Sequence, residues 1–190
     1  NYCDNDGRGE YFNKMKEQYG VDADPTKNAI LDDIMARLSS SIAQNDPKIR
    51  EKPYNYFVNP DKSFNAFCSL GHNLSVNSGL FDLLNNNEDE IAFVVGHEMA
   101  HGQQEHVKKG IKKSLPINII ASVWGSQAGS SLEIIGIDVL AKQADANIIT
   151  KPQEWQADNI GYDYAVGAGY NPGAGAAVWQ RFIEKMGKDR

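Results

Sequence analysis

The chain has 190 residues, of which 41% are hydrophobic and 23% are charged, so it is long enough to bury a globular core. Its formal net charge is −6 and its Lys and Arg residues are dispersed, which argues against a nucleic-acid partner. The most apolar stretch, residues 117–125, is shorter than the about 18 residues that span a bilayer, and it carries Asn118 and Ser122. We therefore expect no transmembrane segment.

Two helices are predicted in the first quarter of the chain. Residues 10–19 have the composition of a short helix, which Gly20 ends. In residues 25–44 an aliphatic side chain recurs every four residues from Ile30 to Ile42. Because residues four apart share one side of a helix, this pattern predicts an amphipathic helix with one buried face.

A small β-sheet is predicted next. Residues 54–58 are rich in aromatic and β-branched side chains and are bounded by prolines, which indicates a strand. Residues 63–68 and 72–77 form two further candidate strands, and the turn at Gly71 between them predicts a hairpin. Residues 79–84 read as a short helix. We expect this sheet to be antiparallel.

The clearest helix signals lie in residues 88–109. Asn87 can cap the N-terminus, with Glu90 as its partner in a capping box, and Gly110 can end the helix. Residues 111–150 mix apolar stretches with Gly and Ser, and we expect one or two helices and a mobile connection there.

Two more helices are predicted towards the C-terminus, in residues 153–166 and 176–186. The whole pattern places helices around a small sheet without a βαβ succession. The predicted fold class is therefore α+β, mostly helical.

A metal-binding motif lies on the best-marked helix. His97, Glu98 and His101 form the pattern H-E-x-x-H. Both imidazoles lie on one side of a helix and can reach one zinc ion at about 2.0–2.1 Å. Glu98 can reach a zinc-bound water and act as a general base towards it. The spacing predicts a hydrolytic zinc site.

The third zinc ligand is left open by the motif itself. His106 lies about 180° round the helix from His97, so we interpret it as a surface or packing residue. His72 begins a strand and is interpreted as structural or exposed. A carboxylate from another helix is the remaining candidate, and Glu154 and Asp158 lie four apart on one helical face.

Several stretches together resemble the gluzincin metallopeptidases of the HtpX and CAAX-prenyl-protease type, and within them the soluble periplasmic members of bacteria. The resemblance covers residues 26–187 and implies a zincin-like fold. We expect residues 1–190 to form a single metallopeptidase domain with an N-terminal extension at 1–24. The stretches that carry the resemblance are "FNAF", "NLSVNSGLFDLL", "EDEIAFVVGHEMAH", "HVKKG", "EWQAD" and "AGYNP".

The resemblance implies a complete zinc site with one Zn²⁺ per chain. His97, His101 and Glu154 would be the ligands, and Glu98 would be the general base. Asp158 would lie behind the ligands, hydrogen-bonded to His97. The implied activity is that of a zinc-dependent metalloendopeptidase that hydrolyses peptide bonds of misfolded or unfolded envelope proteins.

The resemblance also implies how a substrate binds. The stretch "FNAF" corresponds to an edge strand beside the cleft, to which a polypeptide in extended form would add as a further strand. Asn65, Ala66 and Phe67 are therefore substrate-binding candidates. The implied location is the bacterial periplasm or cell envelope, with peripheral or lipid-anchored membrane association also open. In that oxidising compartment a disulfide between Cys3 and Cys68 is expected.

Two other hypotheses remain at this stage. The first is a gated or latent zincin that acts mainly as a chaperone-like client-binding or assembly factor, with the glycine-rich residues 125–136 as a gate. The second is a protein in which the histidines of the motif bind no metal.

Overall fold

The computed structural model of the chain describes residues 7–69, 71–104 and 151–188, with side chains except at 69, 151–158, 179 and 182–188. Within these ranges the protein is mostly helical with one small sheet, which confirms the α+β class. The helices are α1 (Arg8–Tyr19), α2 (Pro25–Ala43), α3 (Ser78–Leu83), α4 (Glu88–Gln103), α5 (Lys151–Gly167) and α6 (Gly173–Lys188). The strands are β1 (Asn55–Asn59), β2 (Ala66–Ser69) and β3 (Asn73–Asn77).

The first two helices begin and end where local chemistry dictates. Helix α1 ends at Gly20, whose φ of 82° suits a residue without a side chain. Pro25 opens α2, and the Asp24 side chain accepts hydrogen bonds from the backbone N–H groups of Thr26 at 2.9 Å and Lys27 at 3.1 Å. Both predicted helices are confirmed.

The sheet is mixed, with the strand order β1-β3-β2. Strands β2 and β3 pair antiparallel, which confirms the hairpin. Strands β1 and β3 pair parallel, so the expectation of an antiparallel sheet is wrong for that half. The physical reason is that β2 supplies the return path of the chain, and the second strand of the hairpin then pairs with β1 in the same direction. Within the described residues, β2 is an edge strand.

The two faces of the sheet are covered by different helices. Successive side chains of a strand point to opposite faces. The face against α2 and α4 is named the inner face, and the face under α1 is named the outer face. The inner face carries Val58, Ala66, Cys68, Leu74 and Val76, and the outer face carries a row formed by Phe57, Ser75 and Phe67, which lie in register.

Helix α4 lies in the core and packs against α2, α5, α6 and β2. The side chain of Asn87 accepts a hydrogen bond from the backbone N–H of Glu90 at 3.1 Å, so the predicted cap is confirmed. The Glu90 carboxylate does not close a capping box, because it forms a buried ion pair with Arg181 of α6 at 2.6 Å.

Helix α4 is shorter than predicted. It ends at Gln103, before the predicted end at residue 109, and Gln104 already forms a turn. Residues 105–110, which include the predicted end signal Gly110, lie outside the described residues. The predictions for residues 1–6 and 111–150 lie outside the described residues. No helix in the described part of the chain has the length and apolar character needed to cross a membrane.

Candidate metal centre

Helix α4 presents the H-E-x-x-H motif on one side. The Nε2 atoms of His97 and His101 lie 3.0 Å apart, and the two rings meet edge to face at a centroid distance of 4.6 Å. Two nitrogens bound to one tetrahedral zinc ion would be separated by roughly 3.3 Å, from Zn–N bonds of about 2.0–2.1 Å. The imidazoles therefore already converge as a pair of metal ligands does.

The motif is buried as well as convergent. His97, Glu98 and His101 are each no more than 3% exposed. Placing ionisable side chains in the interior is costly unless they are engaged. A divalent cation held by the two imidazoles would offset the charge of the Glu98 carboxylate beside them, so the donor set fits a metal ion such as zinc.

The inner face of β2 lies beside the motif. Cys68 is buried, and its Sγ atom lies close to Gly102 of α4. Burial, and then the negative charge of Glu98, raise the pKa of the Cys68 thiol, so the thiol stays protonated. The helix that carries the motif thus packs directly against the edge strand. The expected disulfide partner, Cys3, lies outside the described residues.

Helices α4 and α5 cross at two glycines. A Cβ atom at Gly161 would lie 2.6 Å from the Cα of His97, and one at Gly96 would lie 2.9 Å from the carbonyl oxygen of Gly161. The backbone of α5 therefore contacts the backbone of α4 at the first histidine of the motif. Only glycine permits this close approach of the two backbones. The sequence indicates the approach only through the glycines that lie inside the two helical patterns.

The predicted third ligand belongs to this second helix. Position 154 lies two turns before Gly161, about 10 Å along the helix, and so on the same face. Position 158 lies within one turn of Gly161. The side chains of Glu154 and Asp158 are outside the described part, so their roles stay predictions. Among the described side chains, no group of three His, Cys, Asp or Glu forms a metal site.

His72 has a structural role at the end of α4. Its Nδ1 lies 2.8 Å from the carbonyl oxygen of Lys52, and its Nε2 lies 3.2 Å from that of Gly102. Its ring stacks on Tyr54 at a centroid distance of 4.3 Å. Both ring nitrogens face backbone carbonyl oxygens, so neither points to a metal site on α4 in this arrangement, and a ligand role for His72 is not supported. His106 lies outside the described residues.

Tyr54 and Gln103, which the sequence analysis did not single out, complete this contact. The Tyr54 hydroxyl lies 2.9 Å from the carbonyl oxygen of Met99 and 2.8 Å from Oε1 of Gln103. The Gln103 amide in turn donates to Asp46 at 2.8 Å. Together with His72, these side chains hold the last turn of α4 against the sheet, directly after the second histidine of the motif.

The three substrate-binding candidates lie at the start of the edge strand. Asn65 precedes β2, and its side chain accepts a hydrogen bond from the backbone N–H of Ala66 at 2.9 Å. The side chain of Ala66 is fully buried on the inner face. Phe67 lies on the outer face against Tyr19 of α1. The structure brings β2 beside α4, and a substrate role for these residues stays a prediction.

The sequence matches a known family over most of its length. The profile of peptidase family M48 matches residues 25–186. The chain belongs to peptidase family M48. This confirms the predicted metallopeptidase family, whose members are metal-dependent peptidases.

Individual relatives are named as proteases. Metalloprotease LoiP of Escherichia coli is 33% identical over 144 residues, which are 75% of this chain and 56% of that protein. Beta-barrel assembly-enhancing protease of Yersinia pestis is 26% identical over 184 residues, or 93% of this chain and 36% of that protein. Metalloprotease YcaL of Escherichia coli is 28% identical over 131 residues, or 68% of this chain and 50% of that protein. The chain thus spans about half, or less, of these relatives.

Proposed function

We propose that this chain is a zinc metalloendopeptidase domain with a zincin-like fold. The observation that carries the proposal is the convergence of the His97 and His101 Nε2 atoms, 3.0 Å apart, beside a buried Glu98. Membership of a metallopeptidase family supports it. We further propose a single domain, with residues 1–24 as an N-terminal extension of the family core at 26–187.

The third ligand is proposed to be Glu154, and Asp158 is proposed to hydrogen-bond to His97. The contact between α4 and α5 supports both roles, since His97 lies at the point where the two backbones meet. Glu154 and Asp158 occupy positions near this contact on the same helix. A His₂Glu set is an established catalytic zinc site, which leaves one position open for chemistry.

Glu98 is the proposed general base. When bound, zinc acts as a Lewis acid that polarises the scissile carbonyl group and makes a water molecule more acidic. The Glu98 carboxylate takes the proton of the attacking water and then delivers it to the amine of the leaving product. Its buried position keeps bulk water away from this transfer, and the imidazoles of His97 and His101 hold the metal in place.

The proposed substrate is an extended polypeptide that adds to β2. Within the described residues β2 lies at the sheet edge and packs beside α4, the helix that carries Glu98. Misfolded or unfolded proteins of the bacterial periplasm or envelope are the proposed substrates. The name of the beta-barrel assembly-enhancing relatives supports this location. Peripheral or lipid-anchored membrane association of the whole protein is part of the same proposal.

A role as a client-binding factor without cleavage is less well supported. Two of the proposed zinc ligands and the proposed general base are present on α4, and the three relatives compared above are all named as proteases. Residues 125–136, which were predicted as a gate, lie outside the described residues.

Replacing Glu98 with Gln tests the general base. We expect turnover of a fluorescently labelled unfolded polypeptide to fall by at least about 100-fold, because the proton acceptor is lost while the imidazoles remain. Zinc content, measured by mass spectrometry, should stay near that of the wild type. The matched control is Glu17→Gln, which changes an exposed Glu on α1 and should keep full activity.

Glu154→Ala in the same experiment tests the third ligand. Zinc content should fall sharply, whereas it should persist in Glu98→Gln. Undiminished cleavage by Glu98→Gln would refute the proposed mechanism. Stoichiometric zinc in Glu154→Ala would place the third ligand elsewhere, and a wild type that binds no zinc would overturn the proposed function.

A further inference from the structure

Helix α1 lies on the outer face of the sheet and meets it through two aromatic contacts. The ring of Phe12 packs edge to face against Phe57 of β1 at a centroid distance of 5.7 Å. Two helical turns further along α1, the ring of Tyr19 packs edge to face against Phe67 of β2 at a centroid distance of 5.8 Å. Helix α1 thus crosses the outer face from β1 to the edge strand, and its last residue lies over Phe67.

Tyr19 is partly open to solvent although it belongs to this contact. Tyr19 is 42% exposed, whereas Phe57, which α1 covers through Phe12, is 4% exposed. The pair of Tyr19 and Phe67 therefore offers an accessible apolar surface at the rim of the sheet.

The chain that follows α1 holds Tyr19 in position. The backbone N–H of Gly20 bonds to the carbonyl of Lys16 at 2.8 Å, and the N–H of Asp22 bonds to the carbonyl of Val58 in β1 at 2.8 Å. Pro60 packs close to Gly20. Because the segment after Tyr19 is tied to β1, little ordering of this surface is needed when a ligand binds.

The register of the sheet fixes what a polypeptide on β2 would present to this surface. Residues directly opposite each other on paired antiparallel strands share a face, with Cβ atoms about 4.5–5.5 Å apart. A substrate residue opposite Phe67 therefore places its side chain on the outer face, beside Tyr19. The substrate residues on either side of it point to the inner face, towards α4.

We propose that Tyr19 and Phe67 form an aromatic subsite that receives a large apolar side chain of the extended substrate. This subsite makes Tyr19 a residue that determines specificity, and the inference rests on the proposed function. Helix α1 precedes residues 25–186, which the family profile matches, so the subsite depends on a part of the chain outside that match. Aromatic contacts favour Phe here, and burial of apolar area favours both Phe and Leu over small or charged residues.

The test uses internally quenched peptides that differ only at one residue, which is Phe, Leu, Ala or Asp. The wild-type protein should cleave the Phe and Leu peptides with a kcat/KM higher than that for the Ala and Asp peptides. Tyr19→Ala should reduce this preference by about 5-fold, mainly through KM, and leave the Ala peptide unaffected. Tyr19→Phe should retain the preference. The control is Val166→Ala, which removes another exposed apolar side chain, on α5.

The same preference is measured without hydrolysis, by equilibrium binding of labelled peptides to Glu98→Gln and to Glu98→Gln with Tyr19→Ala. A preference for Phe and Leu that Tyr19→Ala removes supports the subsite, even if no peptide is cleaved. An absence of cleavage alone counts against the proposed function and not against the subsite. An equal loss for all four peptides, or no effect of Tyr19→Ala in either assay, overturns the subsite and leaves the aromatic pair as a packing contact.

Discussion

The two faces of the sheet are built from the same three strands but differ in how closely they are covered at the edge strand β2. On the inner face, Ala66, Leu74 and Val76 have no exposed surface, and α4 packs directly against the edge strand. On the outer face, the cover is the short helix α1, which leaves Tyr19 42% exposed above Phe67. Successive side chains of β2 point to opposite faces, so one set packs against α4 and the other contributes to an accessible surface.

This difference suggests a division of tasks. A metal site needs ligands held to within a fraction of an ångström, which close-packed neighbours on every side provide. Recognition of varied polypeptides tolerates a looser surface at the rim. We therefore expect substitutions near α4 to change stability and metal binding, and substitutions on α1 to change which peptides are preferred.

The largest effect is expected at the crossing of α4 and α5. Gly161→Ala would place a Cβ atom 2.6 Å from the Cα of His97 and 2.7 Å from its backbone nitrogen. Both are backbone atoms, so the helices must separate, and the free energy of unfolding should fall by about 3 kcal/mol. Zinc affinity should fall with it, because His97 moves. Urea unfolding and zinc titration measure the two effects.

The control for this change lies on α1. A Cβ atom at Gly9 would meet no atom within 4 Å, so Gly9→Ala should leave the protein as stable as the wild type or slightly more so. In a helix without close neighbours, Gly161→Ala would likewise stabilise by about 1 kcal/mol. A gain in stability for Gly161→Ala would therefore contradict the close approach of α5 to α4.

Much of the fold followed from the sequence because the signals are local. Pro25 suits the first turn of α2, Asn87 marks the start of α4, and Gly71 marks the hairpin turn. The parallel pairing of β1 with β3 did not follow, since strand order depends on contacts between distant residues. The end of α4 at Gln103 was not predicted, because the glycine interpreted as its end signal, Gly110, lies further along the chain.

The candidate site could be predicted only in part, for a related reason. The H-E-x-x-H spacing fixes the convergence of His97 and His101 within one helix. The support around them is non-local: Tyr54 and His72 come from the strand region and contact the carbonyl groups of Met99 and Gly102. Side chains that bond to a distant backbone leave no periodic pattern in the sequence.

A smaller effect is expected at the buried ion pair that ties α6 to α4. Arg181 contacts the Glu90 carboxylate with Nε at 2.6 Å and Nη2 at 3.2 Å, and the Glu90 side chain is 3% exposed. Arg181→Met keeps much of the apolar stem but leaves a buried carboxylate without this cation. We expect a loss of about 2 kcal/mol in the free energy of unfolding, because removing one partner exposes the desolvation cost of the other.

The matched control for Arg181→Met breaks an exposed pair on α1. Lys14 and Glu10 lie 3.6 Å apart, with their side chains 70% and 58% exposed. Lys14→Met should change the free energy of unfolding by less than about 0.5 kcal/mol, as measured by urea unfolding. Equal losses in the two variants would contradict the contrast between the region around α4 and the outer face.

The smallest effect concerns the pH dependence of the contact at the end of α4. Burial lowers the pKa of His72; the charges of Lys52 and Arg8 act in the same direction, and the bonds to the carbonyl groups of Lys52 and Gly102 oppose it. A folded pKa below the unfolded value of about 6.5 means that the unfolded chain binds more protons in acid. The stability that His72 contributes is therefore present above pH 6.5 and is lost as the pH falls through the folded pKa.

His72→Asn removes this titration while suiting the backbone, since His72 has a φ of 57° and Asn tolerates that region. Urea unfolding of both proteins in the presence of a chelator, from pH 8 to pH 5, gives the difference in their free energies of unfolding. Both proteins keep every other ionisable residue, so the difference reports the change at position 72. We expect the free energy of unfolding of the wild type to exceed that of His72→Asn by about 1 kcal/mol at pH 8, and this difference to become smaller towards pH 5. If this difference instead becomes larger on acidification, His72 is protonated in the folded protein and donates to both carbonyl groups. The two hydrogen bonds would then outweigh the effect of burial on its pKa.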